Sequence, residues 1–463
     1  MTAIKTPVYD FLKELDRRDY RLHGMALIQH GETVFERAAA PYTVDTPHRL
    51  FSTAKSIYVL NFLFAVQEGL MKPEDRIAPL FPEYRVADPG LESITMDDLL
   101  TMRTGQEGDP FPLLFRDPDA DLVEQFFGTP LADKRPGLKF RYNNTVPTVI
   151  LAAVEKATGV PTAEWQRSHY TKKMNAPLLA TFSRNGMYNP VITCASLHSV
   201  TEYARLFLNE GKLGEEQLVR PDLIRCAVSD HLSPGTTDAG EGYGWQIWRN
   251  RYGGYRMDGG WGQMVFAVPE TASAVVLTSD MTDYSAAVEA YQKHLLPVLK
   301  TGEAWSEPTP ELKSLAPEGF AEPAPELNHT LWKAEDGTAA ELCFDGDRIS
   351  FRLSGNGRNT VWTAGLNGAF IDNGGYVPRS FSIDYTAVGN DADTVLLSAA
   401  WRKPNVLRIT GKCLAEMGEV SGEITFGQEE CLVRRTPECV HGIAERQPEQ
   451  MREVRLWRVP KNC

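Results

Sequence analysis

The stretch Leu50-Phe51-Ser52-Thr53-Ala54-Lys55-Ser56-Ile57, running on to Gly69-Leu70, constrains this chain more than any other. Ile57 to Val66 is apolar almost all round, and a helix of that kind has to be buried on every side. Gly69 suits the left-handed residue just past a helix end. Such a helix forms the centre of a domain, and Ser52 falls at its first turn. Ser52 and Lys55 stand three residues apart, so they share a helix face. A serine hydroxyl is a poor nucleophile until a base takes its proton. Lysine can be that base when burial or nearby positive charge lowers its pKa. The helix N-terminus adds backbone N–H donors for a developing oxyanion. The same letters also describe an N-capping serine followed by a surface lysine, so a functional reading depends on what accompanies them.

Composition narrows the setting. A chain of 463 residues holds two domains or three. With 42% apolar and 24% charged residues it can build a sizeable core without disulfide staples. A net charge of −13 argues against nucleic acid or an anionic membrane as partner. No stretch has the length and apolarity of a membrane span. Met1 to Arg21 reads as an amphipathic helix through Val8, Phe11, Leu12 and Leu15, without the apolar core of a signal peptide. Seven cysteines and no Cys-x-x-Cys point to free thiols and a cytoplasmic location. The nine histidines lack zinc-site spacing, and no Gly-x-Ser-x-Gly elbow occurs. The glycines of Gly240-Glu241-Gly242-Tyr243-Gly244 follow no strand, so they do not make a dinucleotide fingerprint. No metal and no cofactor is expected.

Along the chain, Gly24 to Ala38 has the pattern of a hairpin turning at His30-Gly31-Glu32. Thr95 to Met102 reads as a short helix capped by Thr95. Residues 106–139 and 228–242 look like irregular loops that frame a pocket. Val146 to Thr158 is a second buried helix, ended by Gly159, and Ser199 to Gly211 is amphipathic. Met264 to Val268 and Ala274 to Thr278 are strands joined by Pro269-Glu270-Thr271, and Ser285 to Leu299 reads as one long helix. The character changes after Gly302. Pro308, Pro310, Pro317, Pro323 and Pro325 mark 303–325 as a linker. From 326 to 463 short alternating segments such as Arg348 to Leu353 predict an all-β domain, a sandwich or a small barrel.

Two further motifs accompany Ser52. Tyr142-x-Asn144, in Phe140-Arg141-Tyr142-Asn143-Asn144, precedes the second buried helix. A phenol beside a lysine cation ionises more easily, and an Asn amide offers a donor and an acceptor to an amide or ester. Arg256-Met257-Asp258-Gly259-Gly260-Trp261-Gly262-Gln263 stands immediately before a strand, where glycines let a ligand approach the backbone. In this order, and framed by Leu99 to Gly105 and Tyr243 to Trp248, the motifs resemble the serine β-lactamase and penicillin-binding-protein superfamily. The branch most like it holds class C-type esterases, D-amino peptidases and 6-aminohexanoate-dimer hydrolases. The resemblance covers roughly residues 20 to 300 and implies an α/β (α+β) fold: an antiparallel sheet flanked by helices, with a helical subdomain inserted.

By resemblance, Ser52, Lys55 and Tyr142 are catalytic, and Asn144, Gly259, Gly260 and Gln263 bind substrate. The backbone N–H groups of Ser52 and Gly260 would hold the oxyanion. The third motif departs from the family, because Met257 stands where a lysine or histidine is usual. That cation helps bind a substrate carboxylate, so its loss weakens the case for β-lactam or D-alanyl-D-alanine substrates. Ala324-Pro325-Glu326-Leu327-Asn328 is similar to a class A deacylation loop, but alanine occupies the position of its glutamate. The implied activity is that of a serine hydrolase on 1–302, cleaving an ester or amide of a small molecule through an acyl-enzyme. The alternatives are a D-amino-acid peptidase or β-lactamase, and a non-catalytic binding protein of the same fold. A fluorophosphonate should phosphonylate the wild type and not Ser52→Ala, as read by intact mass; labelling that persists in the variant removes the nucleophile assignment.

Overall fold

The computed structural model describes residues 7–460, apart from 116, 118–119, 134, 183–187, 233–240, 282, 305–309, 320, 356–357, 367, 376–393, 414–418 and 437–452. Parts of the expected N-terminal helix, of loops 106–139 and 228–242, and of the proline-rich stretch lie outside the described residues. Two compact units are present. The described residues up to Arg37 and from Val44 to Pro310 form the first; Ala38–Thr43 and the described residues from Glu311 form most of the second.

The first unit is organised on a six-stranded antiparallel sheet. Helix α1 (Pro7–Arg17) leads into the hairpin β1 (Leu22–Gln29) and β2 (Glu32–Ala38). After the helical region come β3 (Trp248–Arg249), β4 (Tyr255–Gly259), β5 (Gln263–Val268) and β6 (Ser273–Ser279). The strand order is β2-β1-β6-β5-β4-β3. Every residue of β1, β5 and β6 is buried, the expectation for central strands covered on both faces.

The apolar helix is α2 (Thr53–Gln67). Its residues from Thr53 to Ala65 are all buried, so no face is left for water. Each enclosed Ile, Leu or Phe contributes about 1.5–3 kcal/mol. The helix Val146–Thr158, ended by Gly159 at φ 69°, shares this core through Val149, Ile150 and Val154. Thr95 closes a capping box on Met96–Leu100, and the amphipathic helix runs from Leu197 to Leu208. The long helix expected from Ser285 runs without interruption to Thr301, widening to a π-type turn at Tyr291–Leu295 between Ser285–Ala290 and Leu296–Thr301. Pro297 lacks the N–H that a regular α-helix would use there.

Three contacts fasten α2 to the motif strands. Thr53 Oγ1 donates to Gln263 O at 2.7 Å, and Ser56 Oγ donates to Gln246 O at 2.6 Å. Gly259 makes the third, because a Cβ there would lie 2.4 Å from Leu50 O and 2.6 Å from Thr53 Oγ1.

The second unit is a barrel. Its strands are β7 (Thr330–Lys333), β8 (Ala339–Asp345), β9 (Arg348–Gly355), β10 (Arg358–Gly365) and β11 (Ile371–Gly375), followed by β12 (Thr394–Lys403) and β13 (Val406–Cys413). The last three are β14 (Glu419–Phe426), β15 (Glu430–Thr436) and β16 (Glu453–Arg458). The sheet runs β10-β9-β8-β7-β16-β15-β14-β13-β12-β11, and an added β10–β12 pairing at Gly365 and Ser398 closes it. Closure pairs β10 on both sides, while β11 stays at the end of the order beside β12. Residues of the proline-rich stretch run along it: Ala321 N–H donates to Trp401 O at 3.0 Å, and Ala324 N–H to Pro404 O at 2.8 Å.

Gly259→Ala should cost about 1–3 kcal/mol of stability by overpacking the start of α2. Urea unfolding measures it, and an unchanged midpoint would show that the strand can move away freely.

Candidate active site

Ser52 directly precedes α2 with helical backbone angles, and its side chain makes no capping bond. Lys55 is 1% exposed. The surface-lysine reading of the motif therefore fails. Lys55 Nζ donates to Ser52 Oγ at 2.6 Å and to Asn144 Oδ1 at 2.9 Å. Its ammonium lies 5.0 Å from the centre of the Tyr142 ring. Burial pulls the lysine pKa down to about 7, against the opposing pull of the Asp109 and Asp258 carboxylates. An amine of that pKa has a large neutral fraction near neutral pH and can accept the serine proton.

Tyr142 hydrogen-bonds to Ser52. Its ring is partly exposed, while the hydroxyl is enclosed, and burial drives the phenol pKa well above its ordinary value. This corrects the expectation of an easily ionised phenol. Desolvation outweighs the hydrogen bond to Ser52, which alone pulls the other way, so Tyr142 stays protonated.

The chain leading into helix Val146–Thr158 places these groups. Asn143 Oδ1 accepts from Thr145 N–H at 2.8 Å and turns the backbone. Asn144 then faces Lys55, held by a residue that sequence reasoning missed. Asp109 Oδ2 accepts from Asn144 N–H at 2.7 Å and from Asn144 Nδ2 at 3.0 Å, and Asp109 Oδ1 accepts from Thr145 Oγ1 at 2.7 Å. This fixes the amide so that its oxygen, the acceptor, points at Lys55. Asp109 sits in the irregular loop 106–139, where no periodicity marks it.

Phe51, immediately before Ser52, was also missed. Its φ is 49°, a left-handed conformation that costs a bulky residue energy and occurs most often where function fixes the backbone. Among the described residues no partner is seen for the Ser52 N–H, which leaves it available as an oxyanion donor. Gly260 backs onto Phe51, where an added Cβ would make ordinary contact at 3.6 Å. The third motif thus adjoins the serine.

Gln263 does not fit its expected role. Its side chain is buried, and Nε2 donates to Ser279 O and to Trp261 O. The amide ties strand ends together and is not presented to a substrate. Met257 is fully buried in the core. Arg256 lies on the opposite face of β4 and is already engaged: with Glu241 at 2.6 Å, with Asp258 at 2.9 Å, and over the Trp248 ring at 5.3 Å.

An aromatic wall adjoins Tyr142. Trp248 stacks on it with centroids 5.9 Å apart, and Phe140 and Tyr243 meet Trp248 edge-on at 5.6 Å and 4.9 Å. The Tyr243 to Trp248 phrase announced aromatics, but their grouping depends on the strand and loop that bring them together.

A family model described as Beta-lactamase matches residues 10–296, more than half of the chain. No curated protein sequence matches. Among solved structures, the octameric penicillin-binding protein homologue from Pyrococcus abyssi is 15% identical with a TM-score of 0.51, covering 97% of this chain and 99% of that one. A candidate 6-aminohexanoate-dimer hydrolase from Bacillus anthracis is 17% identical with a TM-score of 0.53, covering 62% of this chain and 81% of that one. A penicillin-binding protein homologue from Caulobacter crescentus is 17% identical with a TM-score of 0.51, covering 64% and 99%. At these identities the likeness is one of fold.

The pH–rate profile should report Lys55. As the base must be neutral, kcat/KM rises with pH through an apparent pKa near 7. Asp109→Asn removes a carboxylate that raises the lysine pKa, so the midpoint should move to lower pH. A midpoint that stays put would show that Asp109 acts on the fold alone.

Proposed function

Since the chain belongs to the beta-lactamase family, we propose that it is a serine hydrolase that cleaves an ester or amide of a small molecule through an acyl-enzyme on Ser52. The observation that carries this reading is the 2.6 Å contact between Ser52 Oγ and a buried lysine whose pKa is lowered to about 7. Neutral Lys55 takes the proton as Ser52 Oγ attacks the carbonyl carbon. Backbone N–H groups of Ser52 and Gly260 receive the oxyanion. The carbonyl reforms as the leaving group departs; Tyr142 hands it a proton and is resupplied by Lys55. Water then loses its proton to the same pair and attacks the ester of Ser52; the acyl–oxygen bond breaks, the proton passes to Ser52 Oγ, and the acid is freed.

The third motif supports an ester or amide without a carboxylate beside the scissile bond. Met257 carries no charge, and Arg256 is neutralised by Glu241 and Asp258. An anionic β-lactam would find no cation there. The partly buried rings of Phe140, Tyr142 and Trp248, backed by Tyr243 in the core, favour an apolar group on the substrate.

A panel of p-nitrophenyl acetate, p-nitrophenyl butyrate, a D-alanine p-nitroanilide and nitrocefin tests the reading. The butyrate ester should be turned over with a kcat/KM at least tenfold above nitrocefin, and Lys55→Arg should lose most of that rate, since Arg cannot give up its proton. Faster turnover of nitrocefin would favour the β-lactamase alternative, and near-native rates in Lys55→Arg would remove the base.

A further inference from the structure

We propose that the barrel of the second unit is a binding site for an uncharged, apolar small molecule. The argument begins with the alternation of its strands. In a closed sheet every second side chain points inward, and the register shows which ones do. Leu342 stands opposite Phe351, and Phe351 opposite Trp362. On the other side of the barrel Leu407 pairs with Ile424, and Ile424 with Val433. These positions form apolar tiers around the interior.

The tiers are not filled alike. At one end the rings of Trp332, Phe426 and Trp401 meet at 5.7 Å and 5.9 Å, and Leu327, in the turn Pro325–Leu327, lies buried beneath them. That end is a packed core. Toward the other end Phe351, Trp362, Leu397, Ile409 and Ile424 point inward yet are only half-buried. Between the tiers lies a cavity of about 260 Å³. Its lining is contributed by β7, β8, β9, β10, β12, β13, β14, β15 and β16, so the cavity belongs to the barrel as a whole.

The chemistry of the lining selects the ligand. Its side chains are aliphatic or aromatic, with Cys431 the one sulfur; burial pushes that thiol up to about 12, so it carries no charge. The one lining indole N–H at the packed end, Trp332 Nε1, donates to Thr330 Oγ1 at 2.9 Å. A water needs two to four polar partners, and this wall does not offer them. A charged group would be buried without compensation. Among the described residues, the strands that line the cavity are each paired on both sides, so it offers a peptide no edge strand to add to. What remains is a neutral apolar molecule. An apolar cavity of roughly 150 Å³ accepts benzene, so this one suits a ligand on the order of ten non-hydrogen atoms or somewhat more.

The test uses the full chain. Titration with neutral N-phenyl-1-naphthylamine should give a saturable fluorescence rise with one site. Ala340→Phe and Ile409→Trp, which fill the cavity from different strands, should each weaken binding at least tenfold. Both should keep the melting temperature and the ester hydrolysis of the wild type. Photolabelling of wild-type protein with a neutral aryl diazirine provides a measure that needs no variant. Peptides carrying Phe351, Leu353 or Leu397 should bear the adduct. Absence of saturable binding, binding indifferent to both filled variants, or adducts confined to residues before 311 would each overturn the proposal.

Discussion

Everything in the first unit answers to the burial of one amine. Lys55 lies on a helix that has no exposed face, so its charge cannot be hydrated. Moving its pKa from 10.5 to about 7 corresponds to on the order of 5 kcal/mol against the charged form. The cost is borne because the surrounding core is large and because Ser52 Oγ and Asn144 Oδ1 take its hydrogen bonds. The same desolvation acts in the opposite sense on Tyr142, which it holds protonated. One environment therefore pushes the pKa values of two groups that touch the same serine in opposite directions.

The third motif joins a close backbone fit to charges that are paired among themselves. Gly259 preserves the close approach of β4 to α2. Beside it, alternation sends Met257 into the core and sends Arg256 and Asp258 to the other face, where they pair. A lysine in place of Met257 would have to share the interior with Lys55.

Much of this was legible in the sequence because it obeys periodicity. The unbroken apolar run of α2, the spacing of Ser52 and Lys55, and Gly69 and Gly159 past two helix ends are local signals. So was the alternation of the β segments. What stayed hidden depends on contacts between distant segments. Asp109 is one acidic residue among several in loop 106–139, and only the fold carries it to Asn144. The left-handed Phe51 has no letter to announce it. Tyr142 was misjudged because proximity to Lys55 was visible, whereas enclosure of its hydroxyl was not. Gln263 looked like part of a glycine-rich ligand motif, yet its amide is used to tie strand ends. For the second unit alternation predicted strands, but closure through Gly365 and Ser398 is a matter of register.

The position of Asp109 also limits how this protein can diversify. Loops around a pocket are where new specificity is ordinarily acquired, since insertions and exchanges there leave the scaffold intact. Here one such loop carries the carboxylate that orients Asn144 toward Lys55. An exchange that shifts Asp109 would shift Asn144, and with it the surroundings of Lys55. The inner side of the 106–139 loop is therefore tied to the surroundings of Lys55 through Asn144, and a change there reaches further than one on its outer side.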